Sequence, residues 1–421
     1  MKYVPTTYFH LPQQGRFYNI TNNNRQVMDI KAIQTVLQQN NIDAWALYDF
    51  RGSNNIAWKI LGLAPDTHCT RRWLVIIPAT GTVKKIVSKV EAHTLNVVDA
   101  EAVLYGNMIE WRTDVVQELK QFNTIAMEYS PNCDLPVVSK VDAGTIEWLK
   151  SEGLNIVSSA DVAQHFQAVW TREQFDENLN TATVLRESMM DAAEFLKEKL
   201  RKKQYVTEFD VQQNIVRYWN ENGLWSDSDP IVAIGPNASN PHYCPTPQVN
   251  SPITIGDTIL IDMWAKTEKS TSTYADITWM FYAGDVVPDR VEELFTVISD
   301  GRDAALKLVQ ERFTTGKPIM GYEVDDACRD VIQRAGYGEY FIHRTGHNIA
   351  EETHGSGANM DNFETHDTRR ILPGTSFSIE PGIYIPGDIG LRTEIDVVID
   401  FDGNVLVPSE PIQEHVIALL A

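Results

Sequence analysis

Thr258-Ile-Leu-Ile-Asp262 and, after the polar loop Lys266 to Ser272, Tyr274-Ala-Asp-Ile-Thr-Trp279 form the stretch whose reading decides the fold. Apolar and polar residues alternate on both sides of the loop, the period of a half-buried strand, so the segment predicts a β-hairpin. Period-two geometry places Leu260 and Asp262 on one face, and Tyr274, Asp276 and Thr278 likewise share one. A second stretch repeats the plan. Ser376-Phe-Ser-Ile-Glu380 runs through Pro381-Gly382 and Pro386-Gly387 into Leu391-Arg-Thr-Glu394, with Ser378 and Glu380 turned away from Phe377 and Ile379. Asp262 and Asp276 stand 14 residues apart, as do Glu380 and Glu394. Two hairpins of one design predict a duplicated half-domain with four acids aimed into one cavity.

Helical patterns separate and precede these hairpins. Thr171 caps an expected helix to about Lys202, and Thr207 with Asp210 reads as a capping box opening a helix that ends near Asn222-Gly223. Further helices are expected around Asp289 to Glu311 and Tyr322 to Arg334. The order helix, helix, hairpin, helix, helix, hairpin predicts an α+β domain in which helices cover an antiparallel sheet with pseudo-two-fold symmetry. Upstream the texture differs. Helices around Gln26 to Asn40, Trp111 to Gln121 and Asp142 to Ser151 alternate with strands at Ala44 to Tyr48, Trp73 to Ile77, Val83 to Ser88, Thr124 to Glu128 and Asn155 to Val157, which predicts an α/β domain. The boundary falls between 160 and 172, giving domains 1–165 and 166–421. Asp49-Phe-Arg-Gly52 with Asn54-Asn55 reads as a structural loop.

With 421 residues, 43% hydrophobic and 22% charged, the chain can build two sizeable cores. A net charge of −21 repels phosphate backbones and anionic lipid, so neither nucleic acid nor membrane is an expected partner. The cationic run Lys197 to Lys203 is explained by the end of a helix, where cations are favoured. The first ten residues contain no apolar secretory core, and no stretch reaches the length of a membrane span, which points to the cytoplasm. Cys69, Cys133, Cys244 and Cys328 are scattered without pairing motifs, as expected of free thiols. Thr315-Gly316-Lys317 is followed by Pro318 and is no phosphate-binding loop.

Packed carboxylates repel and desolvate one another, and divalent cations resolve that conflict. Four acids carry about four negative charges and two divalent ions about four positive ones, so the pair of ions leaves the cluster near neutral. His347, in Phe341-Ile-His343-Arg-Thr-Gly-His347-Asn-Ile-Ala-Glu-Glu-Thr-His354, adds one nitrogen ligand. Oxygen-rich ligation with one imidazole suits manganese, cobalt, iron or zinc. His343 and His347 are not a zinc helix, because Arg344 stands where the general base would be and Gly346 disfavours helix. The three histidines are better used as one ligand and two hydrogen-bonding groups around a carbonyl, with His242 a fourth candidate.

Pro241-His242-Tyr243, Leu260-Ile-Asp262, Tyr274-x-Asp276-Ile-Thr278, His343-x3-His347-x6-His354, Glu380-Pro-Gly-x-Tyr384 and Leu391-Arg-x-Glu394 resemble the pita-bread metallopeptidases, particularly Xaa-Pro aminopeptidases and Xaa-Pro dipeptidases (prolidases). The resemblance spans nearly the whole chain, and its first half resembles the creatinase-like domain of those enzymes. It implies that Asp262, Asp276, His347, Glu380 and Glu394 bind two divalent metals, manganese first, with Asp276 and Glu394 bridging. Glu380 would also be general base toward a metal-bridging hydroxide, His354 would steady the oxyanion, and His242 and His343 would position the substrate. The implied substrate is a small peptide with proline second, cleaved by an aminopeptidase, with a prolidase as the alternative, and the implied assembly is a homodimer. Arg392 is expected beside Glu394 as its support or at a substrate terminus, and Arg344, Arg369 and Arg370 are further candidates for binding a substrate carboxylate. Departures from the family pattern are Trp264, Trp279 and Asn348-Ile-Ala350, all expected around the substrate pocket. A metal-dependent lyase on the same fold would need an aromatic wall for a cation, which Trp264 and Trp279 are candidates to supply. A non-catalytic relative on this scaffold would be expected to have lost ligands, and none of the five is missing.

Overall fold

The computed structural model describes residues 28–421, so the N-terminal stretch lacking a secretory core, and the expected helix start at Gln26, lie outside the described residues. In the first part, α1 (Ile30–Gln39), β1 (Ala44–Phe50), α2 (Asn55–Leu61), β2 (Arg72–Pro78), β3 (Lys84–Ser88), β4 (Glu101–Tyr105), α3 (Met108–Leu119), β5 (Ile125–Met127), α4 (Ala143–Ser151), β6 (Ile156–Ser158) and α5 (Ala160–Gln167) follow one another. The strands form one mixed sheet in the order β4-β3-β2-β1-β5-β6. Alternation along β1 sends Trp45 and Leu47 into one core layer and Ala44, Ala46 and Tyr48 into the other. Asp29, Asn54, Asn107 and Asp142 cap α1, α2, α3 and α4 through their side chains. Asp49 accepts from the backbone N–H of Gly52 (2.9 Å) and Asn54 (2.8 Å), so the polar loop after β1 is tied into the fold.

Three of these elements were not anticipated. α2 and α5 span 7 and 8 residues, too few turns for a helical period to stand out. β4 is an edge strand with three of its five residues exposed, which hides any inward alternation.

The second part opens with α6 (Arg172–Arg201), capped by Thr171 as expected and completed to a capping box by Gln174, and α7 (Glu208–Glu221), started by the expected capping box of Thr207 with Asp210. Next come β7 (Leu224–Trp225), β8 (Ile231–Ile234), the single turn α8 (Gly235–Ala238), β9 (Thr258–Thr267) and β10 (Ala275–Tyr282). β9 and β10 pair antiparallel with Asp262 opposite Thr278 and Trp264 opposite Asp276. One face of the hairpin, including Ile261, Met263, Ile277 and Trp279, packs in a core with Leu185 and Met189 of α6 and Ile215 of α7. The other face carries Leu260, Asp262, Trp264, Asp276, Thr278 and Met280 toward the second half. Trp279 therefore does not border the pocket, contrary to expectation. It follows Thr278 by one residue on a strand, so its indole points into the helix-covered core, where it lies 6.5 Å from the Phe281 ring.

After α9 (Asp289–Thr314) and α10 (Gly321–Arg334) come β11 (Asn348–Ile349), β12 (Thr375–Ile379), β13 (Gly382–Ile385), β14 (Ile389–Arg392), β15 (Ile395–Ile399), β16 (Val405–Leu406) and β17 (Ile417–Ala418). The second hairpin differs from its expected form. β12 pairs with β15, ending at Ile379 opposite Ile395, and what reads as a connecting loop is itself the hairpin β13–β14. Glu380 and Glu394 thus sit one residue beyond the β12–β15 ladder. Gly387 at φ +73° makes the inner turn possible. The half-sheets meet where the Glu394 N–H donates to the Thr278 carbonyl (3.1 Å).

Candidate metal centre

Asp276, His347 and Glu394 converge, each offering a ligand atom within 4.8 Å of the others, and all three are buried. Glu380 Oε1 lies 3.4 Å and Asp276 Oδ2 3.8 Å from His347 Nε2. Asp262 reaches the same cluster through Thr278, whose Oγ1 lies 2.8 Å from Asp262 Oδ1 and 2.7 Å from Glu394 Oε2. The five expected ligands thus form one connected network.

Backbone pairing sets the position of His347. Its N–H donates to Ser378 Oγ (3.0 Å), its carbonyl accepts from the Ser378 N–H (2.9 Å), and the Glu380 N–H donates to the Thr345 carbonyl (2.7 Å). So close an approach needs glycine at 346, where a Cβ would stand 1.9 Å from the Ser378 carbonyl oxygen. The segment 341–347 is irregular rather than helical, bending at His343 and Thr345. From α10, Asp325 accepts the Thr345 N–H (2.9 Å), while Arg329 donates to the carbonyls of Phe341 (3.0 Å) and His343 (2.7 Å). Asp396 accepts the Asp276 N–H (2.8 Å). None of Asp325, Arg329 and Asp396 was singled out from sequence. The available signal was charge at apolar-face positions, since Asp325 and Arg329 are one helical turn apart among buried Val324, Cys328 and Ile332.

Arg392 lies elsewhere than expected. Its guanidinium pairs with Asp262, not Glu394, and also donates to Thr278 Oγ1 (3.0 Å) and the Tyr384 hydroxyl (3.1 Å), so it is buried and fully engaged. Arg369 is likewise committed, to Asp367 and the Ser356 carbonyl (2.8 Å). Among the described residues no carboxylate pairs with the Arg344 guanidinium.

Hydrogen-bond polarity fixes the histidine tautomers. The carbonyl of Arg344 can only accept, so His343 Nδ1 (2.7 Å) carries the proton, and Tyr384, which accepts from Arg392, donates to Nε2 (2.9 Å). Both ring nitrogens are used, which leaves the ring face of His343 for a ligand. Burial, reinforced by the Arg392 charge, lowers its pKa to about 3. His347 Nδ1 faces the Asn348 carbonyl (3.3 Å), and burial keeps this ring neutral, so its Nε2 lone pair points at carboxylate oxygens. His354 is exposed and stands edge-on to His347 with ring centroids 4.4 Å apart; desolvation and then Arg344 lower its pKa. His242 is exposed on the loop after α8, and its backbone N–H donates to Asn240 Oδ1 (3.2 Å). Trp264 is half-buried on the Asp262 face. Asn348 is buried and ties the Ser376 carbonyl (2.8 Å) to the Gly357 N–H (2.8 Å), a role in the fold rather than in a pocket wall.

This donor set fits divalent cations. Asp276 Oδ1 is buried without a hydrogen-bond partner, and the His347 lone pair confronts two carboxylates. Thr278 has one proton for two carboxylate oxygens. Burial first, then neighbouring carboxylates, raise Asp276 and Glu394 well above the ordinary range, and burial brings Glu380 to about 7. Each of these features asks for positive charge between the ligands.

The family model for metallopeptidase family M24 matches residues 177–400. An Xaa-Pro dipeptidase of Lactobacillus helveticus is 34% identical over 185 residues, 44% of this chain and 45% of that protein. An uncharacterized peptidase, YqhT of Bacillus subtilis, is 31% identical over 207 residues, 49% of this chain and 54% of that protein. These matches span about half the length of the curated relatives. Among solved structures, dipeptidase PepE from Mycobacterium ulcerans superposes with a TM-score of 0.63 at 22% identity, covering 93% of this chain and 96% of that one. The likeness carries the fold across both parts of the chain. No helix among the described residues is long and apolar enough to cross a membrane.

Proposed function

The chain belongs to metallopeptidase family M24, with the pita-bread fold, and from that premise we propose that it removes the N-terminal residue from peptides with proline second. The observation that carries this reading is the convergence of Asp276, His347 and Glu394 with an unpartnered carboxylate oxygen and a bare imidazole lone pair. Divalent ions held by Asp262, Asp276, His347, Glu380 and Glu394, manganese first, would lower the pKa of a shared water and polarise the scissile carbonyl. Glu380 holds or yields a proton near neutrality, as a general base should. Ser378 donates to its Oε1 (3.2 Å), which leaves Oε2 to take the proton of the attacking water. His354, exposed and edge-on to His347, would donate to the developing oxyanion. A proline imide has no N–H, so selectivity comes from shape, and the ring face of His343 with the His242 loop supplies the wall. We assign catalysis to residues 166–421 and no catalytic group to residues 1–165.

Arg344 favours a second reading, a dipeptidase. Its guanidinium, unpaired among the described residues, acts on His347, His354 and Glu380, whereas Arg369 and Arg392 are committed to carboxylates of the fold, so Arg344 is the candidate for a substrate carboxylate directly after proline. The test compares chelator-stripped and manganese-reconstituted protein on an Xaa-Pro dipeptide, an Xaa-Pro-Xaa tripeptide and an Xaa-Ala control. Metal-dependent release from the tripeptide supports the aminopeptidase, and release from the dipeptide alone supports the dipeptidase. No release from any of them with metal bound overturns the peptidase reading.

A further inference from the structure

His242 stands on a long loop between α8 and β9, and its side chain makes no hydrogen bond among the described residues. Its placement must therefore come from the loop backbone. Two side chains on one face of α7 grip that backbone. Glu208, fully buried in the first turn, accepts from Ile234 N–H (2.9 Å), Asn237 Nδ2 (3.0 Å), Ser251 N–H (2.7 Å) and the Tyr243 hydroxyl (2.6 Å). Gln212, one turn later, donates from Nε2 to the carbonyls of Pro230 (2.9 Å) and Pro245 (3.2 Å) and to Cys244 Sγ (3.3 Å). Both residues that follow His242 are thus held from one helix. The near end of the loop leans on the β13–β14 hairpin, where Ser239 Oγ accepts the Gly387 N–H (3.3 Å) and a Cβ at Gly390 would lie 1.8 Å from the Ala238 carbonyl oxygen.

We propose that Glu208 and Gln212 are positioning residues that act through Tyr243 and Cys244 to hold His242 at the substrate wall. The inference rests on the Xaa-Pro peptidase reading for its kinetic consequence, and on geometry alone for the clamp. A helix-capping carboxylate would serve stability only. A clamp serves binding, because substrate meets the wall in both ground and transition states, so its loss raises KM more than it lowers kcat.

The experiment compares the full, manganese-reconstituted wild-type chain with Tyr243→Phe, His242→Ala and their combination. Tyr243→Phe should raise KM for the Xaa-Pro substrate about tenfold, as expected for one lost hydrogen bond to a charged group, with kcat changed less than about threefold. In the His242→Ala background the same substitution should change nothing further. An equal loss in both backgrounds, or an unchanged KM in the single variant, overturns the proposal. A second readout needs no activity. Cys244 is exposed like Cys133 but its Sγ is engaged by Gln212, so its alkylation, measured by mass spectrometry against Cys133, should quicken in Tyr243→Phe and in Glu208→Gln, while an unchanged ratio overturns the clamp. Gln212→Ala serves in the same labelling if Tyr243→Phe folds poorly. If the wild type hydrolyses no Xaa-Pro peptide, the function reading fails and the labelling ratio still decides the clamp.

Discussion

Stripping the divalent ions from this centre should make stability fall as pH rises above about 6.5, the reverse of ordinary acid lability. Asp276 is raised by burial and then by Asp262, Glu394 by burial and then by Asp276, and Glu380 rises from 4.5 to about 7, chiefly through burial. An acid whose folded pKa exceeds its unfolded one contributes stability in full below the unfolded value and loses it as pH climbs through the folded one. His343 and His347 act oppositely. Burial lowers both, so they favour the fold above their ordinary 6.5 and oppose the acids below it. Above that pH the histidine contribution is level and only the acids titrate. Glu380, with its pKa at about 7, costs the fold about 1 kcal/mol between pH 6.5 and 8, and Asp276 and Glu394 act in the same direction. For a cooperative unit of roughly 150–250 residues that is about 2–4 °C in Tm. Metal binding removes the same protons, so the penalty belongs to the stripped protein alone. Calorimetric scans of stripped and manganese-reconstituted protein at both pH values should show the Tm gap widening by that amount. A gap that stays constant or narrows toward pH 8 refutes the reasoning.

Three further outcomes follow from particular contacts. Gly346→Ala forces a Cβ to within 1.9 Å of the Ser378 carbonyl oxygen and should destabilise by about 3 kcal/mol, the upper end for overpacking, while weakening metal binding. Unfolding curves and metal titration check it, and a variant with wild-type Tm and affinity would count against the glycine argument. In the metal-stripped protein Arg392→Met leaves the buried Asp262 without a cation, so it should lose about 3–5 kcal/mol in denaturant unfolding, and a loss below about 1 kcal/mol would show that the pair is dispensable. Trp279→Phe should lower stability by about 1–3 kcal/mol and leave the ratio of kcat/KM between Xaa-Pro and Xaa-Ala substrates unchanged. A shifted ratio would return Trp279 to the pocket wall.

Strand period and helix caps were legible because they are local. Asp262, Asp276 and Thr278 fall on one face by alternation alone, and Thr171 and Thr207 announce α6 and α7 within a turn. The same rule, applied one residue further, would have turned Trp279 away from the site, where family comparison had drawn it toward the pocket. What stayed hidden depends on distant partners. Nothing near Arg392 in sequence says that its charge meets Asp262 across 130 residues, and Asp396 supports Asp276 across 120. The nested hairpin β13–β14 reads as loop because Pro386-Gly387 marks a turn without saying which flanking residues pair.

The charge pattern of the centre links metal and proton. Arg392 compensates Asp262, and the single Thr278 hydroxyl proton can satisfy only one of Asp262 and Glu394. Asp276, Glu380 and Glu394 remain around a neutral imidazole whose lone pair points inward. Protons and cations therefore compete for the same oxygen lone pairs, and without metal Glu380 takes up its proton near pH 7. Glu380 is also the residue assigned to accept the proton of the attacking water, so protonating it removes a ligand charge and the base together. Metal affinity and turnover would then fall along one acid limb, and excess metal would shift that limb to lower pH. A base separate from the ligand set would instead leave the kinetic limb fixed as metal concentration rises.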